Sequence, residues 1–116
     1  MEDKVVHVKK GEILIKKGER SHDLYWVLEG SFEVYTKARD LKVSIATLKN
    51  GDLVGEISFI DQKPRSANVV ALEDSKVMRL EYEEFKEMVE QTPKWLKKIM
   101  LTLTSKLREF TQVGRE

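Results

Sequence analysis

The chain has 116 residues, 21 Lys and Arg against 20 Asp and Glu, a formal net charge of +1, and no cysteine. That length predicts one domain, 1–116, able to bury a core without staples. The missing thiols exclude disulfides and thiolate metal sites, and the balanced charge gives no overall pull toward nucleic acid. No run approaches the roughly 18 apolar residues that crossing a membrane needs, and the N-terminus "MEDKVVHVKKGE" lacks the apolar stretch of a signal peptide. The sequence therefore predicts a soluble, cytoplasmic protein with no membrane partner.

From residue 4 to about 80 the apolar residues alternate or run in short stretches: "VVHV", "EILI", "LYWVLEG", "SFEVYT", "KVSIATL", "SANVVAL" and "KVMRL". They are rich in Val, Ile, Tyr and Phe, which suit half-buried strands. Gly11, Gly18, Gly30, Gly51 and Gly55 punctuate them, and "LEGS" at 28–31 reads as a hairpin turn. Many short strands at this spacing predict a sandwich or barrel. Between the strands, "ISFI" after Gly55 is too short for a strand that must also turn, and reads as one helical turn.

After residue 80 the period changes. Residues 81–92 read as a short helix with Phe85, Met88 and Val89 on one side, and Pro93 suits the first turn of a second helix, 93–113. There Leu96, Ile99, Met100, Leu103, Leu107 and Phe110 form a narrow apolar seam. The first helix carries Glu81, Glu83, Glu84, Glu87 and Glu90; the second carries Lys94, Lys97, Lys98, Lys106 and Arg108. Two solvated faces that attract each other explain this, and a basic face for an acidic partner is the other reading. The seam covers the domain's own barrel as a lid or pairs with its twin, and the homodimer is the favoured of the two.

The chemistry concentrates in 51–72. "GDLVGE" ends a strand on two glycines, and the helical turn that follows offers unpaired amides. Pro64 fixes the chain before Arg65, and Ser66 and Ala67 are small enough for close backbone approach. Arginine supplies paired N–H donors that match two phosphate oxygens, and Glu56 can accept from a sugar hydroxyl. Together they suit a phosphate attached to a sugar, whereas a metal would want more carboxylates or histidines.

Here "GEISFIDQKPRSANV" resembles the phosphate-binding cassette of cyclic nucleotide-binding domains, with Gly55, Glu56, Ile57, Ser58 and Phe59 followed by Pro64, Arg65, Ser66 and Ala67 in the family's pattern. The likeness extends to "KKGERSHDLYWVLEGSFEVY" and to the two C-terminal helices. It implies a mainly β fold, a β-roll or jelly roll of about residues 4–80 with a short phosphate-binding helix and two helices behind it. It implies that Arg65 holds the exocyclic phosphate oxygens, that Glu56 with Gly55 binds the ribose 2′-OH, and that the amides of Ile57, Ser58, Ser66 and Ala67 surround the phosphate. Val34 and Ile45 would line the sugar and base side, and Phe110 and Thr111 would reach the base. "Arg-Ser-Ala" favours cAMP over cGMP. Asn68 stands where the family often has threonine.

The resemblance also implies a module that binds its nucleotide without turning it over and repositions its C-terminal helices, with no catalytic residue, metal or other cofactor. Three alternatives stand beside it. Glu56 and Arg65 could be an internal ion pair bracing a loop. The domain could be a degenerate scaffold or dimerisation unit that binds nothing. A cupin-type metal enzyme would share the barrel, but the chain has only His7 and His22, both expected at the surface or an edge. No DNA-reading motif follows the last helix in this sequence, so direct DNA binding is not expected.

Overall fold

Among the described residues the seven alternating stretches become seven strands, and Leu53–Val54 of "GDLVGE" adds an eighth. The computed structural model describes residues 4–111, and of Thr111 the backbone only. Its strands are β1 (Val5–Val8), β2 (Ile13–Ile15), β3 (Leu24–Glu29), β4 (Ser31–Ala38), β5 (Leu41–Lys49), β6 (Leu53–Val54), β7 (Asn68–Ala71) and β8 (Ser75–Leu80). They pair antiparallel into two four-stranded sheets, β1-β8-β3-β6 and β2-β7-β4-β5. Helix α1 (Glu56–Asp61) lies between β6 and β7, and α2 (Tyr82–Glu90) and α3 (Lys94–Thr111) follow the last strand. The fold is thus mainly β, a β-roll with C-terminal helices.

The period of two explains the core. Val27 of β3, Phe32 of β4, Val54 of β6, Val69 and Ala71 of β7 and Val77 of β8 all point inward and are buried, joined by Val8 and Ile15. Thr36 also points inward, and its hydroxyl accepts a 2.9 Å bond from Lys17 Nζ. Phe32 is fully buried; truncating such a side chain to alanine typically costs about 3–5 kcal/mol.

The structure departs from the sequence reading in four places. "LEGS" is not a hairpin. β3 and β4 belong to different sheets, and Gly30, at φ 98°, carries the chain between them. A Cβ there would stand 2.1 Å from Ser75 Oγ. The tight hairpin is β4–β5, turned by Arg39 (φ 54°) and Asp40 (φ 67°). Two positive φ values make a primed turn whose twist matches its strands, but "ARDL" lacks the usual glycine.

On α2, Phe85 and Val89 are half-buried while Met88 is 68 % exposed, so the three do not share a face. On α3, the stripe turned toward the body is Met100, Thr104 and Arg108; Thr104 is buried, whereas Leu103 and Phe110 of the seam are 55 % and 66 % exposed. The seam therefore does not cover the barrel along its length. The charged faces of α2 and α3 form no ion pair with each other among the described residues; Glu81 and Glu84 pair with Lys4 instead. No helix of the described residues is long and apolar enough to cross a membrane.

Candidate functional site

Gly55 opens the site segment at φ 84°. A Cβ at this position would lie 2.5 Å from Arg65 Nη1 and 3.1 Å from the Asp23 carbonyl oxygen. Glycine is needed twice here, for the left-handed backbone and for the approach of the guanidinium. α1 follows and stops at Gln62, which takes φ 58° and returns its N–H to the Ser58 carbonyl. Pro64 then delivers Arg65, whose own backbone is tied to the turn after β2: its N–H donates to the Glu19 carbonyl at 2.9 Å, and its carbonyl accepts from Gly18 N–H at 2.8 Å.

The Arg65 side chain is only 4 % exposed. Its Nε donates to Ser21 Oγ (3.0 Å), Nη1 to the Gly55 carbonyl (3.0 Å) and Nη2 to the Asp23 carbonyl (2.7 Å). All three acceptors are uncharged, and no ion pair includes Arg65 among the described residues. The internal Glu56–Arg65 brace is therefore not formed. A guanidinium has five N–H donors, so one on each terminal nitrogen remains without a described protein acceptor. Burial pulls the guanidinium below its ordinary pKa, against the nearby negative charge of Glu19, Asp23 and Glu56. The group stays charged, as arginine does in proteins.

Glu56, the first residue of α1, is half-buried, and burial pushes its carboxyl above the ordinary value against the pull of its own amide and of Arg65. No other side chain pairs with it among the described residues. Of the eleven residues singled out from the sequence, Val34, Ile45, Gly55, Glu56, Ile57, Ser58, Arg65, Ser66, Ala67 and Phe110 all line one cavity of about 250 Å³. The eleventh, Thr111, has its side chain outside the described residues.

The walls opposite the segment are apolar: Ile15, Val34, Leu48 and Val69, with Ile45 and Ala46 side by side. The last two face the cavity together because β5 is bulged there. Val34 pairs with Ala46 and Tyr35 with Ser44, which leaves Ile45 as the extra residue and re-aims it. The cavity thus joins a polar rim, with one buried cation and one unpaired carboxyl, to apolar walls, the arrangement of small-molecule sites. Asn68 lies outside this rim; its Oδ1 accepts from Lys17 N–H at 2.9 Å. No three His, Cys, Asp or Glu side chains come together as a metal site would need among the described residues.

Three residues of this site have no signal in the sequence. Ser21 and Asp23 hold Arg65 from 44 and 42 positions away. Asp23 also accepts the Tyr82 N–H at the start of α2 (2.9 Å) and pairs with Arg79 (2.8 Å). One residue thus joins the arginine's seat to the first C-terminal helix. Phe59 of α1 packs edge-on against Tyr82, with ring centroids 5.6 Å apart, and reinforces that join. The third is Arg108, counted in the sequence only as part of a basic face. It reaches from α3 to Asp61, with Nε–Oδ2 at 2.5 Å and Nη2–Oδ1 at 2.9 Å.

A family model described as "Cyclic nucleotide-binding domain" matches residues 5–92. The chain is 34 % identical over 79 residues to the cAMP-dependent protein kinase regulatory subunit of Aspergillus fumigatus, covering 68 % of this chain and 19 % of that one. It is 30 % identical over 105 residues to the cAMP-activated global transcriptional regulator CRP of Salmonella typhimurium, covering 89 % of this chain and 48 % of that one. The chain therefore spans a fifth to a half of the length of these relatives. Among solved structures, it is similar to the EAL enzyme Bd1971 in its cAMP-bound form, with a TM-score of 0.85, 27 % identity, and coverage of 90 % of this chain and 28 % of that one. A cGMP-bound form of the same enzyme matches equally well, with a TM-score of 0.85.

Proposed function

The chain belongs to the cyclic nucleotide-binding domain family, and from that premise we propose that it is a sensor that holds a cyclic nucleoside monophosphate in the 250 Å³ cavity without turning it over. The observation that carries this is Arg65: a buried cation, seated on three neutral acceptors, with no ion-pair partner among the described residues and with one N–H on each terminal nitrogen that none of them accepts. A buried charge without a partner is costly, and an incoming cyclic phosphate would supply both the charge and the acceptors. In this reading Glu56 takes the ribose 2′-OH, and the amides of Ile57, Ser58, Ser66 and Ala67 complete the phosphate's surroundings. Val34 and Ile45 line the sugar and base side, and Phe110 and Thr111 are the residues proposed to reach the base.

cAMP is the proposed ligand in preference to cGMP, with Ser66 on the cavity wall serving the phosphate, and the proposed setting is cytoplasmic. The test is calorimetry with cAMP, cGMP, 5′-AMP and ATP. The expected result is binding by the two cyclic monophosphates, cAMP the tighter. Equal binding of 5′-AMP, or no binding of any of them, would overturn the reading.

The bound nucleotide is proposed to order the 55–67 segment and so reset α2 and α3. The seam supports a homodimer through α3. Leu96, Leu103 and Phe110 recur every seven residues, with Leu107 between the last two, as in the heptad pattern of paired helices, and these four are 37–66 % exposed. A second copy of the chain would cover them. Sedimentation of the wild type against Leu103→Glu reads this directly: a dimer that becomes a monomer is expected, and a monomeric wild type removes the proposal.

A further inference from the structure

The least exposed stripe of helix α3 is Lys97, Met100, Thr104 and Arg108, about one residue per turn. Thr104 donates its hydroxyl to the Leu101 carbonyl of its own helix at 2.9 Å. Arg108 is different. Among the described residues its guanidinium makes five hydrogen bonds, to both Asp61 oxygens, to the Pro64 carbonyl (2.8 Å), to Ser58 Oγ (3.2 Å) and to the Lys63 carbonyl (3.3 Å). All five acceptors lie in 58–64, the stretch that runs from within α1 to the residue before Arg65. The Asp61 and Arg108 side chains are 7 % and 12 % exposed, so the pair is nearly dry. A second tie holds the same carboxylate: the Lys63 N–H donates to Asp61 Oδ1 at 3.0 Å. The neighbouring Leu107 and Phe110 line the cavity, so one stretch of helix carries both the ion pair and part of the cavity wall.

We infer that Arg108 is a positioning residue which, through Asp61, locks α3 to the 58–64 segment, so that docking of the helix and the ligand-ready placement of Ser58 and Arg65 are a single state. The inference rests on the cyclic-nucleotide reading of the cavity and deepens it by naming the contact through which occupancy reaches α3. A two-pronged, desolvated pair is either fully made or lost, because a half-made one strands a buried charge. Anything that fixes the 58–65 segment therefore tightens α3, and undocking α3 loosens the segment by the same free energy.

The test uses Arg108→Gln, Asp61→Asn and the double variant of this chain. Three quantities are read: hydrogen exchange of the α3 amides without ligand, cAMP affinity by calorimetry, and the melting temperature of the fold. Each single change is expected to speed exchange in α3 and to weaken cAMP by about fivefold or more. The double variant is expected to bind no more weakly than the worse single one, because both remove the same pair. Wild-type affinity in Arg108→Gln, additive losses in the double variant, or unchanged α3 exchange would each overturn the proposal. A wild type that binds no cAMP at all is instead the failure of the site reading, and the inference falls with it. Should Arg108→Gln lose its cooperative melt, Arg108→Lys, which keeps the charge but not the fork, is read in its place. Faster α3 exchange and weaker binding are again expected, and wild-type values overturn the proposal.

Discussion

On the barrel side of the cavity Arg65 is buried against neutral carbonyls and a hydroxyl; on the helix side Arg108 is buried against a carboxylate. Both are well ordered by several hydrogen bonds, and they differ in charge balance. Arg108 is neutralised within the protein, so its bonds serve the structure. Arg65 is oriented by neutral groups and has no ion-pair partner among the described residues, and in the proposed reading its remaining donors take the ligand's anion. Hydrogen bonds hold both, three at Arg65 and five at Arg108 among the described residues, and it is the identity of the acceptors that sets the proposed binding arginine apart from the proposed locking one.

The largest effect is expected at Arg65 itself. Arg65→Lys keeps the charge but not the fork, and losing two charge-assisted bonds at about 1.5–3 kcal/mol each predicts a fall in cAMP affinity of at least tenfold. Calorimetry measures it, and near-wild-type affinity would erase the distinction between the two arginines. Lysine is the sharper variant because Arg65→Leu would also strand the Gly55 and Asp23 carbonyls.

Gly55→Ala comes next. The new Cβ would meet Arg65 Nη1 at 2.5 Å in a left-handed backbone, which predicts a loss of stability of about 1–3 kcal/mol together with weaker binding. Thermal melting and calorimetry check the two parts. Asp23→Ala should act on the other output of that residue. It keeps the carbonyl under Arg65 but removes the acceptor of the Tyr82 N–H, so about 1 kcal/mol of stability is lost through α2 while cAMP affinity changes little. A large affinity loss with an intact α2 would contradict this division.

The smallest effect is a pH dependence that separates the two sides. Glu56 has a raised pKa. The native state then holds its proton to higher pH than the unfolded chain does, so this group's contribution to stability falls as pH rises through the folded value. Its capacity to accept from a sugar hydroxyl moves the other way: cAMP affinity should drop a few-fold as pH falls through that raised value, and Glu56→Gln should abolish the dependence.

At Asp61 burial favours the proton, but the Arg108 guanidinium and the Lys63 amide outweigh it and hold the carboxyl below its ordinary value. Its contribution is complete above the unfolded value of about 3.9 and is lost only as pH falls through the folded one. Acidification should therefore weaken the ligand before it releases α3, which parallel calorimetry and hydrogen exchange would resolve. The reverse order would break the comparison.

The segment from Gly55 to Ala67 was legible in the sequence because its chemistry is local. A turn glycine, a short helix, Pro64 and Arg65 follow one another within thirteen residues, and the structure brings ten of the eleven chosen residues around one cavity. What the sequence could not supply is what each group rests on. "LEGS" carried the signal of a hairpin, but a glycine at a sheet-to-sheet crossing has the same composition as one in a hairpin. The α3 seam was read correctly as apolar, yet its spacing says nothing about which face meets the barrel, and the body-facing stripe was decided by Arg108 and Thr104.

The sequence alone determined the mainly β class, the helical end and the phosphate-suited segment, because alternation, helical period and turn chemistry act between near neighbours. Tertiary structure decided that Ser21 and Asp23 seat Arg65, that the β5 bulge aims Ile45 at the cavity, and that Arg108 closes on Asp61 across 47 positions. Those pairings are set by how the two sheets and α3 pack, and bonds between residues so far apart leave no periodic trace in the chain.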